Sequence, residues 1–228
     1  MTTQNKSIWT LEGRFLEGQK RRAQTTVSLL KPAKNDTVLD VGCAEGYVTS
    51  FLTKADYIVG LDTSRESLLL ARSHVKKSNV DFIWADAAHL PFVNNAFSKI
   101  TMLEVLEHLP GATQIAVCKE VNSVLKPEGV AVVSTPYKEN IEFTQCVHCG
   151  KMTPLWGHLE VMDEEKIIAA FPNAYELLKR YHIVNFPFVS LSWFSSKLHF
   201  GVWIGLNNLL GRVSRGYWIM LSLKKQST

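Results

Sequence analysis

The sequence lacks an apolar run able to cross a membrane. Its most apolar stretch, residues 186–213 (FPFVSLSWFSSKLHFGVWIGLNNLLGRV), is broken by Lys197, His199, Asn207 and Asn208, which would sit in hydrocarbon. The opening MTTQNKSIWTLEGRF has no apolar core bounded by a cleavage site, so secretion is not expected. Cysteine is scarce, with four residues, which excludes a disulfide framework and leaves free thiols or a metal-binding pair. A cytoplasmic protein follows as the expectation. Neither sign of charge dominates: 25 Lys and Arg face 21 Asp and Glu, a net charge of +4. The basic residues are dispersed, with Lys20, Arg21 and Arg22 near the start, Lys76 and Lys77 mid-chain, and Lys224 and Lys225 near the end. Without a concentrated stripe interleaved with aromatics they read as solvated charge on helix faces, and no nucleic-acid partner is expected. Two phosphate-binding loops are missing as well: there is no G-x-G-x-x-G, and no lysine follows a glycine-rich turn as a P-loop requires.

What is present is an alternation of strands and helices. Apolar runs at 37–41, 57–62, 80–85, 99–103 and 129–135 read as strands. Helical patterns at 11–30, 65–77 and 113–125 accompany them; Pro32 stops the first, and Thr63 and Ser64 can cap the second. Such βαβ units imply an α/β fold with a parallel sheet covered on both faces, and 228 residues suffice for one such domain. After Pro136 the rhythm breaks. Residues 138–162 read as an irregular insertion, followed by a helix at 163–171, a strand at 175–184, the aromatic-rich segment at 186–213 and a last strand at 216–224.

The stretch VLDVGCAEGYVTSFL, residues 38–52, poses the functional question. A strand ends at Gly42, and a helix is expected after Gly46. The glycine spacing is G-x-x-x-G, with Ala44 where a dinucleotide fingerprint wants its middle glycine, so the loop passes beneath a ligand without wrapping phosphates. Asp62 ends the next strand in GLDTS, where a carboxylate can accept both hydroxyls of a ribose. Asp86 follows the third strand in ADAAHLPF, where one can accept from an adenine amino group. Three strand ends thus describe a nucleoside site without a phosphate cradle.

VLDVGCAEG, GLDTS, ADAAHLPF, EVLEHL and VLKPEGVAVVSTP, in this order and spacing, resemble a class I S-adenosylmethionine-dependent methyltransferase, and within that superfamily the small-molecule and quinone-biosynthesis branch. The similarity is strong over 37–136 and weaker beyond. The resemblance implies a single Rossmann-like domain with a seven-stranded, mostly parallel sheet, a last antiparallel strand, helices on both faces and an insertion after the fifth strand. It implies that Asp40, Gly42, Cys43, Ala44 and Gly46 line the methionine portion of S-adenosylmethionine. Asp62 and Thr63 would hold the ribose, Asp86 and Ala87 the adenine, and Leu103 and Glu104 would face the substrate. Methyl transfer to a small-molecule or lipid-like acceptor is the expected function. A non-catalytic adaptor on the same fold and a nicotinamide-dependent oxidoreductase remain as alternatives.

Three features lie beyond the cofactor motifs. In EVLEHLPG, Glu107 and His108 are candidates for a general base, and His108 is the better one because imidazole titrates near neutrality. In the insertion, CVHCGK presents Cys146 and Cys149 as half of a zinc site, with His158 a third ligand, so zinc is a second candidate cofactor beside a metal-free reading. Residues 186–213 read as a packing helix, a hydrophobic lid or a peripheral membrane contact. Phe194, Leu198, Val202, Gly205 and Leu209 would form the apolar stripe.

Overall fold

A computed structural model describes residues 7–10, 13–172, 175–184, 197–211 and 216–227. Helix α1 (Gly13–Leu30) precedes β1 (Thr37–Val41), β2 (Tyr57–Asp62), α2 (Arg65–His74), β3 (Val80–Trp84) and β4 (Phe97–Leu103). Helix α3 (Gly111–Val124) then leads into the long β5 (Leu125–Pro136). A two-stranded hairpin follows, β6 (Phe143–Gln145) and β7 (Met152–Pro154), then α4 (Glu164–Ala170), β8 (Tyr175–Ile183), α5 (Phe200–Leu210) and β9 (Trp218–Lys225). Seven strands form one sheet in the order β3-β2-β1-β4-β5-β9-β8. All pairings from β3 to β5 are parallel, whereas β9 runs antiparallel to both β5 and β8. The last strand in the chain is therefore the antiparallel one and inserts inside the sheet.

The central strands β1, β2, β4 and β5 are mostly apolar because both of their faces are covered, whereas the edge strands β3 and β8 are largely exposed. Successive residues of β1 and β2 point to opposite faces. Leu39, Val41, Val59 and Leu61 join a core beneath α3 and α4 with Val117, Val121 and Ile167. Val38 and Ile58 join a second core against α1 and α5, with Leu29, Leu30 and Trp203. Strand order reverses between β1 and β4, and in open α/β sheets the carboxyl ends at that switch point form the ligand crevice.

Three expectations need correction. The helix after Gly46 is absent; a 3₁₀ turn, Thr49–Phe51, takes its place. Only ten residues join Gly46 to Tyr57, and Thr49 is fully buried with its hydroxyl donating to Asp40 (2.6 Å), so tertiary contacts override the helical pattern. Arg21 is not solvated: it is 3% exposed, pairs with Glu17 (2.6 Å), donates to the Leu198 carbonyl (2.9 Å) and lies over the Trp203 ring. The packing-helix reading of the C-terminal stripe fails at Val202 and Leu209, 53% and 59% exposed, although Leu198 packs on the second core; Trp203 and Asn207 are the buried residues of the helix. Phe194 lies outside the described residues, as does most of 186–213 before α5.

Asn207 is buried because it bridges two backbone groups. Its Oδ1 accepts from the Val184 N–H (2.9 Å), and its Nδ2 donates to the His182 carbonyl (2.8 Å), tying α5 to the end of β8. Asn207→Ala strands both groups, at about 1–3 kcal/mol for each buried unpaired group. We expect a loss of roughly 2–4 kcal/mol in urea unfolding; a loss below about 0.5 kcal/mol would show that α5 does not anchor the sheet edge.

Candidate active site

Beyond β1 the chain makes a tight loop. The N–H groups of Gly42 and Cys43 both donate to the Leu61 carbonyl (2.8 and 3.0 Å), and the Gly46 N–H donates to the Cys43 carbonyl (2.9 Å). Gly42 has φ 70°, and a Cβ there would meet Val105 Cγ2 at 2.5 Å. Both the left-handed backbone and the close approach therefore require glycine. Ala44 also has positive φ (46°), and its N–H donates to Asp62 Oδ2 (2.8 Å), while the Ser64 N–H donates to Oδ1 (2.9 Å). The half-buried Asp62 is thus fixed between the loop and the start of α2, with lone pairs remaining on both oxygens for two further donors.

The crevice above this loop is a cavity of about 380 Å³, lined by Arg22, Asp40, Gly42, Ala44, Leu103 and Glu104 among others. Asp40, 2% exposed, accepts from Thr49 and Thr101 (2.6 and 2.7 Å). Burial raises its pKa, which the two hydroxyls only partly oppose. Burial also pushes the Cys43 thiol far up, leaving it an inert wall. At the end of β4, Glu104 has φ 56°; its carboxylate accepts from Ser134 Oγ and Trp218 Nε1 (both 2.7 Å) and lies 3.5 Å from Arg22. A segment from the other end of the domain closes one side. Ile8 and Trp9 donate through backbone and indole to Glu45, and Trp9 stacks on His74 and meets Tyr47 edge-on.

The expected adenine group is arranged differently from the loop. Asp86 is exposed and accepts from the Ala88 N–H (2.9 Å), forming a turn, and neither it nor Ala87 lines the cavity. Beside them Trp84, 55% exposed, carries Arg65 on its ring at 3.9 Å and donates to the Thr63 carbonyl (2.9 Å). The sequence reading missed Arg22, Glu45 and Tyr47 as cavity residues. Arg22 sat in a basic run, and only its recurrence one turn before the buried Thr25 and Thr26 could have placed it on the inner face of α1.

Past β4, a 3₁₀ turn (Leu106–His108) carries a second group. Glu107 is fully buried, neither carboxylate oxygen has a hydrogen-bond partner, and burial, then the Glu104 charge, push its pKa up to about 9. His108 is exposed; its Nδ1 faces the Gly157 carbonyl (3.1 Å), and its ring meets that of His158 edge-on at 4.8 Å. His158 pairs with Glu139 (2.6 Å). The expected set of Cys146, Cys149 and His158 is therefore not assembled. The two thiols sit at the tip of the β6–β7 hairpin, where the N–H groups of Cys149 and His148 hold the Cys146 thiol below its usual range. Among the described residues no third histidine, cysteine or carboxylate joins them. Local spacing suggested the grouping, but the chain turns His158 back toward the sheet.

Gly42→Ala tests the loop. It adds a strained φ, about 1–3 kcal/mol, and the Val105 overlap. Thermal melts should show clear destabilisation, and Val105→Ala in the same chain should restore the overlap part only. A double variant no more stable than Gly42→Ala would mean that Val105 does not limit the approach.

The comparisons with known proteins agree with this geometry. Residues 38–129 match the family model of a methyltransferase domain. A ubiquinone biosynthesis O-methyltransferase of Actinobacillus pleuropneumoniae serotype 7 is 33% identical over 106 residues, 43% of this chain and 44% of that one. A demethylmenaquinone methyltransferase of Staphylococcus carnosus is 27% identical over 199 residues, 80% of each chain. The chain thus spans less than half the length of the first of these relatives, and four-fifths of the second. The crystal structure of the N-methyltransferase NodS from Bradyrhizobium japonicum, in complex with S-adenosyl-L-homocysteine, superposes with a TM-score of 0.64 at 16% identity, over 91% of this chain and 87% of that one. At that identity the likeness is one of fold. Residues 38–129 thus resemble a methyltransferase domain, on a fold shared with NodS.

Proposed function

We propose that the chain transfers a methyl group from S-adenosylmethionine to a hydroxyl of a small, apolar acceptor. The observation that carries this reading is the charge of the cavity. Asp40, Glu45 and Glu104 line it, with Arg22 as its cation, and Arg22 is already paired with Glu104. A pyrophosphate would meet repulsion there, which disfavours a nicotinamide dinucleotide. A nucleoside carrying sulfonium and amino groups meets attraction. The residues fit such a group: Asp62 has acceptor capacity for two hydroxyls, and Gly42, Cys43, Ala44 and Glu45 of the loop line the cavity. Asp86 and Ala87, beside Trp84, are assigned to the adenine end, and Thr63 to the ribose edge.

When bound, S-adenosylmethionine supplies a methyl carbon already activated by the positive sulfur. The protein's task is then alignment and exclusion of water, which positioning can make worth several kcal/mol. Leu103 and Glu104 form the wall from which the acceptor approaches. His108 is assigned to the acceptor hydroxyl, acting through Nε2, because Nδ1 faces the Gly157 carbonyl. The relatives named for ubiquinone and menaquinone synthesis favour a hydroxylated ring bearing an apolar tail. The exposed apolar face of α5, with Val202, Leu206, Leu209 and Leu210, would rest on the membrane interface holding such a tail. No described helix is long and apolar enough to cross a membrane.

Calorimetric titration with S-adenosylhomocysteine tests the cofactor assignment. Asp62→Ala removes hydrogen bonds to a charged group worth about 1.5–3 kcal/mol each, so affinity should fall roughly 10- to 100-fold or more. Equal affinity in the variant, or no binding to a folded wild-type chain, would overturn the reading and bring the adaptor forward. For the interface, Leu206→Glu with Leu209→Glu should abolish co-sedimentation with anionic lipid vesicles; undiminished sedimentation would remove α5 from that role.

A further inference from the structure

Glu107, His108 and His158 offer one ligand atom each within 4.8 Å of one another. Four observations make this more than proximity. The Glu107 carboxylate is fully buried, yet both of its oxygens lack a hydrogen-bond partner, an arrangement that buried polar groups avoid unless something else completes them. His108 places Nδ1 against the Gly157 carbonyl (3.1 Å), which as an acceptor fixes the proton on Nδ1 and leaves the lone pair on Nε2. His158 Nδ1 stands 2.6 Å from a Glu139 carboxylate oxygen, an ion-pair contact that favours a proton on Nδ1 and leaves Nε2 as the ligand atom. Histidines that ligate metals are held in this way, the outer nitrogen donating to a carbonyl or carboxylate. Finally, backbone bonds clamp the two halves together: the N–H groups of Leu159 and Glu160 donate to the Glu107 carbonyl (2.7 and 3.2 Å).

We propose that Glu107, His108 and His158 form a binding site for a divalent transition cation, with Glu139 and the Gly157 carbonyl as the groups that orient the two imidazoles. Two imidazoles and a carboxylate suit Zn²⁺ or Mn²⁺ and leave coordination positions open for water or a substrate oxygen. Ligands about 2.0–2.2 Å from a shared ion stand roughly 3.4 Å apart, so the side chains close in by about 1 Å on binding. Because His108 is exposed, that movement is available on the solvent side.

The site deepens the methyl-transfer reading and rests on it for its chemical role. It begins three residues beyond Glu104, which lines the cofactor cavity, so a cation there can hold the acceptor oxygen beside the methyl donor. The acceptor hydroxyl then gives its proton to solvent, its oxygen forms the bond to the methyl carbon, and the carbon–sulfur bond breaks with its electron pair passing to sulfur. The negative oxygen and the positive sulfonium leave a neutral ether and a neutral thioether. His108 then reaches the acceptor oxygen through the cation that its Nε2 ligates, instead of contacting the hydroxyl directly, and no free general base is required.

The test is Mn²⁺ binding to the full chain after chelator treatment, followed by electron paramagnetic resonance and calorimetry. Mn²⁺ is chosen because the hard ion disfavours the Cys146–Cys149 thiols. One ion per chain is expected. His158→Ala should weaken binding at least 100-fold, and Glu139→Gln, which touches only the outer nitrogen, about 10- to 100-fold. Far-ultraviolet circular dichroism checks that each variant is folded, and Glu139→Gln stands as the informative variant if His158→Ala is not. No Mn²⁺ binding by the wild-type chain, or binding unchanged by Glu139→Gln and His158→Ala, overturns the site. Zn²⁺ stoichiometry that survives those changes but is lost in Cys146→Ser with Cys149→Ser would overturn it too, moving the metal to the hairpin. S-adenosylhomocysteine titration of the same samples separates the two readings. Nucleoside binding without metal binding removes only the metal site, and the reverse removes only the methyl-transfer reading.

Discussion

The anchoring of Glu104 is the constraint on which both the cavity and its surroundings depend. A non-glycine residue at φ 56° costs about 1–3 kcal/mol and persists only where its neighbours hold it. Here its N–H donates to the Ser134 carbonyl (2.9 Å), its carboxylate accepts from Ser134 and Trp218, and Arg22 stands 3.5 Å away over the Trp218 ring. One side chain thereby joins β4, β5, β9 and α1. The left-handed turn also redirects the chain. Val105 is thrown over Gly42, which closes the loop, and the 3₁₀ turn Leu106–His108 follows directly.

This explains why the antiparallel strand inserts inside the sheet. Trp218 opens β9, and from the edge position its indole would not reach Glu104. Placed beside β5, it pairs across from Pro136 and lies within reach of both Glu104 and Arg22. The position of the last strand, which has no bearing on the central βαβ units, is therefore linked to the wall of the site.

The central parallel strands were legible in the sequence because they are buried on both faces, so their own residues carry the whole pattern. β1 and β2 match the expected ranges residue for residue. The loop was legible too, since Gly42 and Gly46 answer to local backbone geometry. What resisted reading depends on partners remote in sequence. Arg21 and Asn207 are polar groups buried through contacts with Leu198, His182 and Val184, and no local pattern announces such pairs. His158 is the clearest instance. Nine residues from Cys149, it invites grouping with the thiols, yet it packs on His108, fifty residues back. Spacing predicts a ligand set only where the chain between the ligands is itself a turn, which is true of Cys146 and Cys149 and false of the longer excursion.

The same fold serves many chemistries, so the distinction between ligands must come from the site. A dinucleotide fold presents free N–H groups and a helix start to its pyrophosphate. Here four of the loop's N–H groups are consumed: Gly42 and Cys43 donate to Leu61, Ala44 to Asp62, and Gly46 to Cys43. No regular helix follows to add its dipole, only the 3₁₀ turn that Asp40 holds through Thr49. Those four donors and the helix dipole are thus withdrawn beside the cavity, and the carboxylates of Asp40, Glu45 and Glu104 line it instead. The turn that replaces a helix after Gly46 is tied to the cavity by one of the acids that line it, Asp40, through Thr49.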